Sequence, residues 1–197
     1  MRECLIGVLD LQGDVKEHLH AILGAGGKGL GVKTVEELKA VDALIIPGGE
    51  STTVGKLLDR FDLMETVRSF PRENKPIYGT CTGMILLAKE IEGSEQHRLG
   101  LMDIAVRRNA YGRQIDSFEA DIDILGVTTK EDPHHSIFIR APYVTSVHDD
   151  VAVMSEIEGN IVMVRQGPLL ASSFHPELTD DYRIHKYFLD MVEEYRK

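Results

Sequence analysis

Through the first half of the chain, short apolar runs alternate with stretches whose apolar residues recur every three or four positions. This is the pattern of parallel strands joined by crossover helices. The run Cys4-Leu5-Ile6-Gly7-Val8-Leu9 predicts a buried first strand, and Val15, Leu19, Ile22 and Leu23 then fall on one helix face that Gly24 would end. Gly26-Gly27-Lys28-Gly29-Leu30-Gly31-Val32 occupies the place of a second strand, although its glycines offer little to pack. Thr34 and Glu37 form a capping box ahead of a short helix, and Ala43-Leu44-Ile45-Ile46 is a strand stopped by Pro47-Gly48-Gly49. A helix is expected from about Thr53, a fourth strand at Ile77-Tyr78-Gly79-Thr80, and a helix over Gly83-Met84-Ile85-Leu86-Leu87-Ala88-Lys89-Glu90. Cys81 thus falls at a strand-to-helix turn.

The second half reads differently. Phe118-Glu119-Ala120-Asp121-Ile122-Asp123-Ile124 alternates strictly, as a half-solvated antiparallel strand does. Val151 to Met154 and Ile161 to Val164 flank Glu158-Gly159-Asn160, a hairpin signal. A last helix carries Ile184, Tyr187, Phe188, Met191 and Val192 on one face. With no linker, repeat or low-complexity segment, residues 1–197 read as a single domain. Its expected architecture is three-layer α/β, with a mostly parallel central sheet, flanking helices and antiparallel strands in the second half.

Composition narrows the partners. A net charge of −10 disfavours a phosphate backbone or an anionic membrane surface, so neither nucleic acid nor membrane is expected. No apolar run approaches the roughly 18 residues of a membrane span, and the first residues leave no room for a signal peptide, so a cytoplasmic protein is expected. The two cysteines, Cys4 and Cys81, form no disulfide framework and no metal-ligand spacing, and Cys81 reads as a reduced thiol.

Three segments carry chemistry. Gly79-Thr80-Cys81-Thr82-Gly83 has the shape of a nucleophile elbow with cysteine in the serine position, and the positive end of the following helix favours thiolate. Alone, it would fit a buried cysteine before a helix equally well. In Ser173-Phe174-His175-Pro176-Glu177, Pro176 biases His175 toward extended backbone, which puts His175 and Glu177 on one side of the chain. Alone, that histidine would be read as a surface turn residue; with Cys81 it completes a nucleophile, a base and an orienting carboxylate. Pro47-Gly48-Gly49-Glu50-Ser51-Thr52-Thr53 is a strand-to-helix loop whose backbone N–H could face a developing oxyanion. It lacks the Gly-Lys-Ser/Thr of a phosphate loop, and Lys28 lacks that context too. A Cys-x5-Arg phosphate loop is excluded because Leu87 stands where the arginine is needed. No metal is expected: His18 and His20 diverge on a helix, His134-His135 sits in a polar loop, and both pairs read as solvated.

Cys81 in its elbow, His175-Pro-Glu177 and the Pro-Gly-Gly loop, in that order, resemble the class I, triad-type glutamine amidotransferases. Within that superfamily the chain is similar, essentially end to end, to the glutaminase subunits of pyridoxal 5′-phosphate synthases. Further blocks carry the likeness: Gly7-Val8-Leu9-x-Leu11-Gln12-Gly13, Arg108-Asn109-x-x-Gly112-Arg113-Gln114, Ser117-Phe118-Glu119, Phe138-Ile139-Arg140-Ala141-Pro142 and the continuation Leu178-Thr179. Thr82 stands where the family commonly has alanine, and Asp10 where a small residue is usual.

The resemblance implies a flavodoxin-like amidotransferase fold and a glutaminase that needs no cofactor. His175, oriented by Glu177, would take the Cys81 proton, and the thiolate would attack the side-chain amide of L-glutamine. Backbone N–H groups of Gly49 and Thr82 would hold the oxyanion. Gly49, Glu50, Ser51, Arg108, Ile139 and Arg140 map to substrate-binding positions, and either arginine suits the substrate carboxylate. The implied partner is a pyridoxal 5′-phosphate synthase subunit in a large hetero-oligomer, which would receive the ammonia and on which activity would depend. Two alternatives remain at this level: a triad glutaminase serving another synthase, and a non-catalytic or redox α/β protein with an elbow cysteine.

Overall fold

The computed structural model describes residues 3–108 and 117–197. Its central sheet begins with β1 (Leu5–Leu9), β2 (Lys28–Val32), β3 (Ala43–Ile46) and β4 (Ile77–Thr80), and β12 (Leu169–Ser172) joins them. These strands lie parallel in the order β2-β1-β3-β4-β12, the flavodoxin-like arrangement, in which crossovers from β1 run in opposite directions. All four residues of β3 are buried because both faces of the sheet are covered. Leu44 and Ile46 face one side, with α2 (Val35–Ala40), α3 (Ser51–Arg60), α4 (Met64–Ser69) and α5 (Thr82–Leu87); Ala43 and Ile45 face the other, with α1 (Val15–Gly24) and α6 (Arg183–Tyr195).

Beyond β12 the sheet continues through β11 (Asn160–Gln166), β9 (Tyr143–Val147), β6 (Met102–Arg107) and β5 (Ala88–Ile91), while β10 (Ala152–Ile157) pairs with β11 in the anticipated hairpin. A separate antiparallel ribbon pairs β7 (Ser117–Ile122) with β8 (His134–Ile139), and the Phe118 and Phe138 rings stack at 4.5 Å.

Several local expectations give way to tertiary context. The helix expected over residues 83–90 ends at Leu87, and Ala88–Ile91 pairs with β6 across a bulge that leaves Lys89 and Glu90 exposed. Arg108 accordingly follows the sixth strand, β6. The helix expected from Thr53 starts at Ser51, because the Glu50 carboxylate caps it by accepting from Thr52 N (3.0 Å) and Thr53 N (2.7 Å). The buried stripe of α1 is His18, Ala21 and Ile22, whereas Leu23 is 70% exposed. The glycine-rich segment does form edge strand β2, and its composition has a packing cause. A Cβ on Gly29 would meet Leu19 Cδ2 at 2.7 Å, and one on Gly27 would meet Leu189 Cδ2 at 2.8 Å, so α1 lies directly on the strand backbone and α6 on the residue just before it.

Candidate active site

Four loops leave the carboxyl ends of neighbouring parallel strands and meet in one cleft of about 710 Å³. The loop after β4 holds Cys81 in an unusual backbone conformation, φ 48° and ψ −99°, in the positive-φ region that costs a non-glycine residue of order 1–3 kcal/mol. Its N–H donates to Ser172 O at 2.8 Å, tying the elbow to β12. The flanking glycines answer to crowding: a Cβ on Gly79 would collide with the Gly83 backbone, and one on Gly83 with the Ile46 carbonyl. The Cys81 thiol donates to Ile139 O at 3.8 Å, so the end of β8 lies over the thiol.

The loop after β12 brings His175 to the same cleft. Its N–H donates to Ile137 O at 2.9 Å, and its Nδ1 lies 2.8 Å from Glu177 Oε1 and 3.5 Å from Asp14 Oδ2. His175 and Glu177 are buried. Burial alone would lower the His175 pKa, but hydrogen bonds with Asp14, Cys81 and Glu177 and the Glu177 charge outweigh it and raise it well above the ordinary value. Burial raises that of Glu177, against the hydrogen bond from His175.

The loops after β1 and β3 supply the facing wall. They touch closely enough that a Cβ on Gly13, which has φ 106°, would overlap the Gly48 carbonyl. The peptide between Gly49 and Glu50 is held at both ends: Thr82 Oγ1 donates to Gly49 O at 2.6 Å, and Glu50 N donates to Gln12 Oε1 at 2.9 Å. Arg108 enters from beyond β6 and donates from Nη1 to Gln96 Oε1 at 2.6 Å and to Thr52 Oγ1 at 3.3 Å.

Cys81, His175, Gly49, Thr82, Glu50, Ser51, Arg108, Ile139 and Arg140 all line the cleft, and Glu177 stands behind His175. Residues 109–114, part of the Arg108 block, lie outside the described residues. Sequence reasoning missed Asp14, Gln96 and above all the buried histidines. His18 is not solvated: it is fully buried, with Nε2 3.1 Å from Thr80 Oγ1 and 3.5 Å from Glu177 Oε2, and Nδ1 3.0 Å from His185 Nε2. His134 is likewise buried, in β8 rather than a polar loop, with Nδ1 2.8 Å from Ser136 Oγ. The signal for His18 was its place between Val15 and Ile22 on the apolar side of α1. Asp14, His175 and Glu177 also put three potential metal-ligand atoms within 4.8 Å of one another, though a proton shared at His175 Nδ1 accounts for the short contact to Glu177.

Sheet order, elbow cysteine and histidine arm define an amidotransferase-type α/β protein. A crystal structure described as a glutamine amidotransferase matches with a TM-score of 0.90 and 46% identity, over 95% of this chain and 98% of its own. PurLQS from Thermotoga maritima, at 18% identity and a TM-score of 0.66 over all of both chains, shares the fold. In sequence, the pyridoxal 5′-phosphate synthase subunit PdxT of Bacillus cytotoxicus is 55% identical over 189 residues, 96% of this chain and 95% of that protein. The profile of the SNO glutamine amidotransferase family matches residues 8–194, and the chain belongs to that family.

Proposed function

We propose that the chain is the glutaminase subunit of a pyridoxal 5′-phosphate synthase, a single domain that hydrolyses L-glutamine to L-glutamate and ammonia. The observation that carries the reading is the convergence of Cys81 and His175 on one cleft, with Glu177 behind His175, within a chain 55% identical to a PdxT. His175, its pKa raised by its acidic neighbours, takes the Cys81 proton, and the sulfur attacks the side-chain amide carbon of glutamine. The tetrahedral oxyanion is held by the backbone N–H groups of Gly49 and Thr82. His175 then returns its proton to the departing nitrogen, the C–N bond breaks, and ammonia leaves a γ-glutamyl thioester. Water, deprotonated by His175, attacks that thioester, and glutamate and the free thiol are restored.

Substrate is held by Gly49, Ser51 and the backbone of Glu50, whose carboxylate is occupied in capping α3, and by Ile139, Arg140 and Arg108. Gln96 and Thr52 fix the Arg108 guanidinium, which favours Arg108 as the partner of the substrate α-carboxylate. Ammonia passes to the synthase subunit within a hetero-oligomer, and turnover depends on that subunit because the Gly49 loop must be set for the oxyanion. No helix among the described residues is long and apolar enough to cross a membrane, and two unpaired cysteines suit a reducing cytoplasm. The test is ammonia release from L-glutamine with and without the synthase subunit of a relative. Release by the complex and its loss in Cys81→Ala are expected. No release from the complex would overturn the glutaminase reading, and equal turnover with and without the subunit would overturn partner dependence.

A further inference from the structure

Behind the triad lies a polar cluster that the chemistry above does not use. His18 on α1 and His185 on α6 are 0% and 1% exposed, surrounded by the apolar side chains that join both helices to the sheet. Groups of this kind are expensive to bury unless their nitrogens are satisfied. His18 meets three: Nδ1 faces His185 Nε2 at 3.0 Å, and Nε2 faces Thr80 Oγ1 at 3.1 Å and Glu177 Oε2 at 3.5 Å. Glu177 Oε2 has no regular hydrogen bond of its own, and neither does His185 Nδ1.

These contacts favour one arrangement of the protons. Were His18 protonated at Nδ1, it would donate to His185, and the lone pair of its Nε2 would point at a carboxylate oxygen. His185 would then carry its own proton on Nδ1, a buried donor with no acceptor. With the protons on both Nε2 atoms, His185 donates to His18 and His18 donates toward Thr80 and Glu177. The unsatisfied nitrogen is then an acceptor, and the His18 N–H lies on the side of the Glu177 carboxylate, whose Oε2 it approaches to 3.5 Å without a regular hydrogen bond. Burial, followed by the proximity of His185 and His175, keeps the His18 pKa well below its ordinary value, consistent with a neutral ring.

We propose that His18 is a positioning residue for the triad, a neutral Nε2–H imidazole that anchors the outer oxygen of Glu177 and the Thr80 side chain together. The inference rests on the glutaminase reading. Glu177 Oε1 orients His175, while Thr80 immediately precedes Cys81, so one ring joins the arm carrying the base to the strand carrying the nucleophile. Without it, Oε2 loses the polar N–H that approaches it to 3.5 Å, and Glu177 can turn away from His175 to find another donor. The chain of donors ends at the carboxylate, so His18 transfers no proton during turnover; its contribution is to geometry and charge.

The experiment compares His18→Leu with His18→Gln in the complex with the synthase subunit, and records imidazole ¹⁵N spectra of the wild-type chain. Glutamine carries an Nε2–H donor at similar reach, whereas leucine fills the space without one. His18→Leu should lower kcat about 10- to 100-fold with KM unchanged, the size expected when a catalytic group is misplaced by a fraction of an ångström to an ångström. His18→Gln should stay within about threefold of wild type. The spectra should place the His18 proton on Nε2. A His18→Leu kcat within twofold of wild type, KM rising in step with the loss, or equal losses in both variants would overturn the proposal. So would a His18 proton on Nδ1, a result that does not depend on either variant folding. Absence of ammonia release by the wild-type complex would refute the glutaminase reading instead, and the ¹⁵N spectra would still decide the proton arrangement.

Discussion

Two histidines in this molecule have almost the same immediate partners and opposite prospects. His135, on the outer face of the β7–β8 ribbon, sits between Glu119 Oε2 at 2.7 Å and Asp121 Oδ1 at 2.8 Å. His175 sits between Glu177 Oε1 at 2.8 Å and Asp14 Oδ2 at 3.5 Å. Carboxylates raise the pKa of both rings. His135, however, is exposed, its pairs are screened by water and salt, and it does not line the cleft with the thiol. His175 is buried beside Cys81, and the carboxylate orienting it is backed by a further histidine. What separates the two histidine–carboxylate pairs therefore lies beyond the pair: a thiol in front, burial, and a further histidine near the carboxylate.

The contrast can be broken by removing its parts. Cys81→Ala should abolish ammonia release by the complex, and His175→Asn and Glu177→Gln should each reduce kcat at least ~10²-fold, the last because an amide turned toward Nδ1 imposes the wrong tautomer. Near-normal turnover in any of the three would remove that residue from the mechanism. Thr82→Ala keeps the backbone N–H but deletes the 2.6 Å bond to Gly49 O. A bond of about 1 kcal/mol corresponds to a loss of about fivefold in kcat, and an unchanged kcat would mean that the Gly49 peptide is held by Gln12 alone.

Stability against pH gives the buried His185 and the exposed His135 opposite signs. Burial lowers the His185 pKa to about 4, with the nearby His134 adding to it, so between there and the unfolded value near 6.5 the unfolded chain binds the extra proton. The stability this ring contributes is present above pH 6.5 and lost as pH falls toward 4, up to about 3 kcal/mol in all. His185→Asn should flatten the acid limb of denaturant midpoint against pH; an unaltered slope would mean that the ring is already protonated when folded. For His135 the folded pKa is raised, so its contribution is present below the unfolded value and fades as pH rises through the folded one. His135→Asn should leave turnover unchanged, the smallest effect of the series, and a measurable loss would connect the ribbon to the site.

How much of this was legible beforehand follows from where each signal lies. The β1, β3 and β4 runs, the Thr34–Glu37 capping box and the α6 stripe are local patterns, and the structure keeps them. The elbow and the His-Pro-Glu motif are likewise local, because each depends on spacing within five residues. What escaped was decided across the chain. Ala88–Ile91 becomes a strand only because β6 lies beside it, and His18 reads as a polar interruption of α1 until His185, 167 residues away, is placed against it. Asp14 reaches the cleft, and Gln96 reaches Arg108 at its edge, through loops whose path no periodicity records. The glycines of β2 looked like a weakness, since side chains pressing on a backbone leave no trace in that backbone's own sequence.

The position of β12 has a consequence for how this chain comes off the ribosome. Although it follows every other described strand along the chain, Leu169–Ser172 pairs in the interior of the sheet, between β4 and β11. Until it arrives, β4 has an open edge and the parallel half of the sheet cannot join the antiparallel half. Pairing so distant in sequence carries a large loop-closure cost and is slow. The same event delivers His175 to Cys81, through strands held by the bond from Cys81 N to Ser172 O. Completion of the sheet and the meeting of His175 with Cys81 thus depend on the same pairing, so a chain without β12 in place presents Cys81 without its histidine neighbour.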